Sequence, residues 1–397
     1  GQERRTDRHD HPDWSSPLGA AGAGRPRIIR RLVGRLLAHG VGRLALRVSH
    51  HLGECRGATT HPGEQCWQNV RVSTLERSSI LITGGTGSFG KAFTRWALDH
   101  LDPTRLVVFS RDELKQYEMR QQIGEDPRVR WFIGDVRDSG RLTRALDGIE
   151  YVVHAAALKQ VDTAEYNPFE CIATNVLGAE NVINASIDAG VRQVIALSTD
   201  KASSPINLYG ASKLCSDKLF IAGNHYASHG ATRFAVVRYG NVMGSRGSVI
   251  PYFRRLAPTG RLPITDTRMT RFWITLDQAV QFVADSFERM SGGELFVPRI
   301  PSTTVLDLAR AIAPDAVHDI VGIRPGEKLH EEMISVDDAR RTFEYDDYYA
   351  IAPLLSGWTD KDPFEHAKPV PDEFAYRSDT NDQWLGVDEL RALLATI

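Results

Sequence analysis

The sequence predicts an α/β fold, a doubly wound parallel sheet with a smaller, interleaved C-terminal lobe. Three observations carry this. From about residue 78, six short apolar runs alternate with helical patterns, the order that gives a parallel sheet covered on both faces. A glycine-rich segment, Thr83-Gly84-Gly85-Thr86-Gly87-Ser88-Phe89-Gly90, stands between the first run and the first helical pattern. After about Gly244 the alternation lapses and Pro, Arg and aromatic residues become denser, as in a separate lobe.

Taken in order, Ile80-Leu81-Ile82 is a buried strand that ends in the glycine loop, and 91–100 continues as a helix. The next strands are 106–109, 129–133 (ending at Gly134-Asp135), 151–154, 194–197 and 235–238. Helical patterns fill the gaps, notably 173–189 and 212–223. Further on, 276–289 reads as a helix and 293–297 as a strand, so 276–298 is expected to return to the main sheet. The expected organisation is a cofactor-binding domain over 78–243 and a substrate lobe with C-terminal segments over 244–397.

Residues 1–77 differ from the rest: they contain no Lys and many Arg and His. Apolar residues at helical spacing across 28–48 are interrupted by Arg30, Arg31, Arg35, Arg43 and Arg47. A basic amphipathic helix is one reading; a poorly ordered extension, or sequence outside the functional protein, is the expected one. Because Arg breaks the apolar run, no signal peptide is expected. His50, His51, Cys55, His61 and Cys66 fit no usual zinc spacing, so no metal is expected.

A net charge of −2 gives no reason to expect nucleic acid. No run of about 18 uncharged apolar residues exists, so no membrane span is expected. Four scattered cysteines without a CxxC pair read as reduced thiols of a cytoplasmic protein.

Gly84, Gly87 and Gly90 follow a strand and open a helix, the context in which such a loop binds a dinucleotide. Glycine lets backbone N–H groups approach a pyrophosphate, which then sits at the helix N-terminus. Thr86, Ser88 and Phe89 belong to the same turn. NAD usually calls for an acidic residue about 20 positions on. Here Ser110 and Arg111 occupy that place, a hydroxyl and a guanidinium that suit a 2′-phosphate, so NADP is expected. Asp112 keeps NAD open. Asp135, followed by Val136, is placed to meet adenine or to cap a helix, and Ala155, Ala156 and Ala157 are small enough to line the cofactor.

The stretch Ser198-Thr199-Asp200-Lys201, followed by Tyr209 and Lys213, carries the chemistry. Tyr209 and Lys213 are four apart and share one helix face. A phenol is a poor base at neutral pH, and a nearby ammonium and an oxidised nicotinamide both favour phenolate. Once C4 of a hexose is a ketone, the C5 proton becomes acidic. Lys201 as a neutral amine suits its removal, and a protonated Asp200 suits expulsion of the 6-hydroxyl as water.

At these residues the chain resembles the extended short-chain dehydrogenase/reductases. More narrowly, it resembles the inverting UDP-N-acetylglucosamine 4,6-dehydratases that open pseudaminic acid synthesis. The resemblance spans about residues 79–353. It rests on the glycine loop, Ser-Arg-Asp-Glu-Leu-Lys at 110–115, His-Ala-Ala-Ala-Leu-Lys at 154–159 and the catalytic stretch. Arg-Tyr-Gly-Asn-Val at 238–242, Gly-Ser-Arg-Gly-Ser-Val at 244–249, Arg-Met-Thr-Arg-Phe-Trp-Ile-Thr at 268–275 and Arg-Pro-Gly-Glu-Lys-Leu-His-Glu at 324–331 complete it.

The resemblance implies a bound NADP, reduced and reoxidised in each turnover, with Tyr209 accepting the C4 hydroxyl proton and Lys213 and Thr199 assisting. Tyr209 and Lys213 would also touch the cofactor. Lys201 would handle the C5 proton, Asp200 would help expel water, and hydride would return to C6. Inversion at C5 is implied by the resemblance alone. Retaining dehydratases typically carry Asp-Glu where this chain has Asp200-Lys201, and membrane-bound relatives have Met at the Tyr209 position. Arg246, Arg271 and Arg324 are candidate diphosphate contacts. Lys159, also a candidate cofactor contact, with Asn175, Asn241, Ser248, Val249 and Glu327 completes the candidate substrate set, Asn175 with helix capping and Glu327 with loop shaping as alternatives. A homo-oligomer, dimer to hexamer, is also implied. A UDP-sugar 4-epimerase, a retaining dehydratase and a non-catalytic NADP-binding protein remain the alternatives.

Overall fold

The computed structural model describes residues 74–227, 231–355 and 363–397. The expectations for the basic segment and the His/Cys group before residue 74 therefore lie outside the described residues.

The alternation read from the sequence becomes β1 (Ser79–Thr83), α1 (Ser88–His100), β2 (Arg105–Ser110), α2 (Glu113–Ile123), β3 (Val129–Ile133), α3 (Ser139–Leu146) and β4 (Tyr151–His154). Next come α4 (Val161–Tyr166), α5 (Pro168–Ile172), a π-helical turn (Ala173–Leu177), α6 (Gly178–Asp188), β5 (Gln193–Thr199), α7 (Leu208–Tyr226) and β6 (Arg233–Tyr239). Short polar side chains start several helices. Asp112 accepts from Lys115 N at α2, Asp138 from Arg141 N at α3, and Asn207 from Gly210 N at α7.

Among the described residues the main sheet has ten strands. Its parallel part runs β3-β2-β1-β4-β5-β6 and then Leu295–Pro298, which pairs parallel with β6. The strand order reverses between β1 and β4, the switch point beyond which ligands bind in open α/β sheets. Every residue of β1 and β4 is buried, as two covered faces require. Ile80, Val152, Ile195 and Val236 meet Phe93 of α1 and Phe220 of α7 in one continuous core. Each such side chain contributes about 1.5–3 kcal/mol by leaving water.

Three more strands extend the sheet antiparallel: Tyr348–Ile351, Thr342–Glu344 and Lys368–Pro369. The sequence reading placed these in the lobe. With two to four residues each, they are too short to display a period-two pattern. The expected helix over 173–189 also differs, because its first turn is π-helical. The widened turn holds Asn175 inward, where it clamps the backbone of Leu158.

The lobe has its own small core of Met243, Ile250, Trp273, Leu308 and Leu390. Within it Thr270–Ile274 lies between Asn241–Val242 and Ser302–Thr304. Among the described residues, no helix is long and apolar enough to cross a membrane.

Candidate active site

At the switch point a cavity of about 640 Å³ opens over the carboxyl ends of β1, β4 and β5. One end is made of backbone. Gly84 has φ +64°, and a Cβ there would stand 2.8 Å from Ala155 O and Ala156 N. The glycine loop therefore lies directly on the Ala155–Ala157 segment. Gly87 caps α1, which has no side-chain cap and no acidic residue in its first turn. Its free N–H groups and positive dipole end suit a diphosphate.

Thr86 Oγ1 and Ser110 Oγ share a hydrogen bond of 2.7 Å at the end of β2. Arg111 is half exposed and reaches Asp135 at 3.6 Å. Burial alone would raise the Asp135 carboxyl, but hydrogen bonds from Arg137 and the charge of Arg111 outweigh it and hold the pKa below the usual range. Asp112 caps α2 and pairs with Lys115 at 2.6 Å.

The other end is made of side chains. β5 ends at Thr199, and Asp200–Ala202 forms a 3-10 turn. Gly210 has no room for a Cβ against the carbonyl oxygen of Lys201, so α7 packs backbone to backbone on that turn. This brings Tyr209 and Lys213 to the cavity that Thr199 and Lys201 also line. The Thr199 hydroxyl donates to Asp200 Oδ1 at 3.0 Å. Lys201 Nζ donates to the same oxygen at 3.0 Å and stands 3.2 Å from Glu331 Oε1. Arg271 Nε lies 3.6 Å from that Glu331 oxygen.

Burial shapes the protonation of this end. It raises the Asp200 carboxyl, with Lys201 opposing and Glu331 reinforcing. Burial also favours a neutral Lys201, but Asp200 and Glu331 outweigh it and the ammonium is held above its ordinary pKa. The neutral resting amine expected from the sequence is therefore not what these surroundings favour, because two buried carboxylates face it. Burial pushes the Tyr209 phenol up to about 12, against the Lys201 charge and the Thr199 hydroxyl, which favour phenolate. Burial lowers Lys213, opposed by Asp217.

Behind the site, Ser198 Oγ donates to Asp217 Oδ2 at 2.7 Å and Arg238 pairs with that oxygen at 3.2 Å. His154 Nδ1 meets Thr83 Oγ1 at 2.9 Å. That hydroxyl oxygen also accepts the Ala155 and Ala156 N–H groups.

Of the residues singled out from the sequence, Gly84, Thr86, Gly87, Phe89, Ser110, Arg111, Asp135, Val136, Ala155, Ala156, Ala157 and Lys159 line the cavity. So do Thr199, Lys201, Tyr209, Lys213, Asn241, Arg246 and Ser248. Burial lowers the Lys159 ammonium. Others stand behind it. Asp200 is fully buried under Lys201. Gly90 packs on Gly85. Ser88 Oγ accepts from Arg246 N. Asn175 accepts from Leu158 N and donates to Leu158 O and Ser212 Oγ, a backbone clamp rather than a cap. Val249 opens the helix Val249–Leu256.

Arg271 is buried, and its guanidinium donates to the carbonyls of Thr270, Lys328 and Leu329. Its hydrogen bonds go to the lobe, so it holds a loop where the sequence reading gave it a diphosphate. Arg324 and Glu327 pair at 3.8 Å on that same loop. Glu331 and Asp217 were missed. Glu331 stands in the 324–331 block, but no sequence pattern says that the last residue of a polar loop is buried.

The described family whose profile matches residues 80–353 is "Polysaccharide biosynthesis protein". The chain is 54% identical over 329 residues to the UDP-N-acetylglucosamine 4,6-dehydratase (inverting) of Campylobacter jejuni subsp. jejuni serotype O:2, covering 81% of this chain and 98% of that one. It is 45% identical over 281 residues to the UDP-glucose 4-epimerase of Rickettsia conorii, covering 69% of this chain and 82% of that one. Among solved structures it is similar to DesIV, a dTDP-glucose 4,6-dehydratase from Streptomyces venezuelae with NAD bound. There the TM-score is 0.58 and the identity 26%, with 63% of this chain and 86% of that one covered.

Proposed function

We propose, for a chain that belongs to the polysaccharide biosynthesis protein family, the inverting 4,6-dehydration of UDP-N-acetylglucosamine to UDP-2-acetamido-2,6-dideoxy-β-L-arabino-hex-4-ulose. One observation carries this reading. A Tyr209/Lys213 pair and Lys201, backed by the buried Asp200, converge on one cavity. A 4-epimerase needs only to remove and restore hydride at C4. The second acid-base pair has work only where C5 loses a proton and C6 loses its hydroxyl. The relative at 54% identity, matched over 98% of its length, supports the same choice and is the source of inversion.

The cradle fits a nicotinamide dinucleotide: Gly84 and Gly87 with the α1 N-terminus for the diphosphate, and Thr86, Ser110 and Arg111 for the adenosine ribose. Such a group supplies reversible hydride transfer, from C4 and back to C6. Tyr209 takes the proton of the C4 hydroxyl, and Lys201, Lys213 and Thr199 stabilise the phenolate. Lys201 removes the C5 proton. Asp200, whose carboxyl is raised by burial, supplies the proton of the departing 6-hydroxyl through the Thr199 hydroxyl, which bonds its Oδ1 and lines the cavity. The Tyr239 and Ser198 positions close the cavity around the sugar.

NADP is the reading for the cofactor. Arg111 and Lys115 line the cavity near Ser110, while Asp112, an acid that could hold a ribose 2′-hydroxyl there, is bound to Lys115. A cytoplasmic homo-oligomer acting in pseudaminic acid-type sugar synthesis completes the proposal. Tyr166 and Phe169, 87% and 84% exposed, support association of copies.

Proton NMR of the purified protein with NADP and UDP-N-acetylglucosamine in deuterated water tests the reading. A C6 methyl signal, a 4-keto product and deuterium at C5 in the L-configuration are expected. The D-configuration would leave a retaining dehydratase. A C4 epimer without the methyl would leave an epimerase, and binding without turnover a cofactor-binding protein.

A further inference from the structure

We propose that Glu331 is a positioning residue of the dehydration, which holds the Lys201 ammonium beside Asp200 and takes its proton when Lys201 serves as base. The inference rests on the dehydratase reading above.

The geometry is specific. Lys201 Nζ lies between Asp200 Oδ1 at 3.0 Å and Glu331 Oε1 at 3.2 Å. Both carboxylates are essentially inaccessible, while the Lys201 side chain keeps 24% of its surface. The second oxygen of each acid, Asp200 Oδ2 and Glu331 Oε2, is buried without a hydrogen-bond partner. Burial raises the Asp200 carboxyl, whereas at Glu331 burial is outweighed by the Lys201 and Arg271 charges, which hold the carboxyl below its usual range while Lys201 is an ammonium. A proton on the unpartnered Glu331 oxygen relieves the cost of burial once the Lys201 charge is gone.

Glu331 is held there from the lobe. Its N–H donates to Ser378 Oγ at 2.9 Å and its carbonyl accepts from Ser378 N at 2.8 Å. On either side, Lys328 Nζ donates to Ser203 O at 2.6 Å, and Glu332 Oε1 accepts from Ser203 Oγ and Ser204 Oγ at 3.0 and 2.8 Å.

The chemistry gives the two acids different tasks. An ammonium cannot accept the C5 proton, so Lys201 has to release one first. Asp200 has to keep its own proton for the leaving hydroxyl. The charged groups facing Lys201 are Asp200, Glu331 and Arg271, with Lys328 beyond Glu331. At rest they favour the Lys201–Glu331 ion pair. Substrate over Lys201 removes its remaining water, which favours the neutral pair.

The ammonium and the Glu331 carboxylate then become an amine and a carboxylic acid, with no change in total charge. The amine next takes the C5 proton. The C5–H electron pair forms the C5–C6 double bond as the C6–O bond breaks, and the oxygen leaves as water with the Thr199 hydroxyl proton, which Asp200 replaces from its own carboxyl.

Glu331→Gln keeps the oxygen that faces Lys201 but cannot be protonated to an acid. With NADP and UDP-N-acetylglucosamine, it is expected to keep KM within about two-fold and to reduce the nicotinamide in a single turnover. Its kcat and C5 deuterium uptake are expected to fall on the order of 10²-fold or more. Glu331→Asp is expected to recover at least about ten-fold of that loss, with its kcat–pH profile shifted from that of the unaltered chain.

Turnover and C5 exchange in Glu331→Gln equal to the unaltered chain would overturn the inference. So would loss of nicotinamide reduction and of KM together, which marks a structural role. If Glu331→Gln does not fold, an Asp variant with an unshifted pH profile overturns it equally. An unaltered chain that yields no 4-keto, 6-methyl product would sink the dehydratase reading itself, before any variant is compared.

Discussion

The two ends of the cavity are built on opposite principles. The cofactor end is backbone: a glycine loop, a helix N-terminus and three alanines, with the charged Arg111 half exposed. The sugar end is side chain: Asp200, Lys201, Glu331 and Arg271 packed into charge contacts of 3.0 to 3.6 Å. Backbone sites tolerate variation in everything except shape. Buried charge networks tolerate the loss of a single member poorly, because every member sets the protonation of the next.

That contrast can be broken at defined points. The largest effect is expected from Tyr209→Phe, which should lower kcat by about 10²–10⁴-fold while cofactor affinity changes little. Nicotinamide absorbance and product NMR read both, and a variant that still oxidises C4 would remove Tyr209 from its role. Gly84→Ala strikes the cradle instead. At φ +64° and 2.8 Å from the Ala155 carbonyl oxygen, it should cost about 1–3 kcal/mol of stability and weaken cofactor binding while leaving the Lys201 network in place. Titration calorimetry with NADP and urea unfolding separate the two losses.

A third point joins the ends. His154 is fully buried behind the cradle, and burial, aided by the Lys213 charge, lowers its pKa to about 3. The unfolded chain binds a proton at this residue below about pH 6.5, and the folded one does not until about 3. Acid therefore favours unfolding between those values, by about 1.4 kcal/mol per pH unit from this group. Urea unfolding of His154→Gln across that window should show a slope shallower by one proton, and an unchanged slope would place the titration elsewhere. The smallest effect is expected from Arg111→Ala. Its guanidinium is half exposed, so NADP affinity should fall by about ten-fold, equivalent to about 1.4 kcal/mol, with NAD affinity nearly unchanged. Equal weakening of both would remove the 2′-phosphate reading.

The same contrast decides what the sequence alone could disclose. The strand-loop-helix around Gly84 is local, so its residues announce it in order. Tyr209 and Lys213 are also local, one turn apart on α7. Asp217 and Arg238 look like ordinary helix and strand residues; the pairing of β5 with β6 sets Arg238 beside Ser198, and the packing of α7 on those strands brings Asp217 to both. Glu331 lies 130 positions after Lys201 (331 − 201) and reaches it through a lobe whose path no periodicity predicts. The partners of Arg271 were illegible for the same reason: its residue type suits a phosphate, but the carbonyls it bonds belong to a distant loop. The three added sheet strands escaped because four residues or fewer cannot show an alternation.

The loop over 324–332 has a consequence for the order in which the protein acquires its abilities. The strands that make the cradle end at Tyr239, whereas Glu331, Glu332 and Lys328 come almost a hundred residues later on the ribosome. A nascent chain can form the cradle well before its Lys201 has a second carboxylate. A half-made polypeptide that reaches Tyr239 holds Tyr209 and Lys213, the residues of the oxidation step, but not Glu331, which the elimination uses. The residues of oxidation and the residue that completes elimination are separated in the order of synthesis by the position of one loop in the chain.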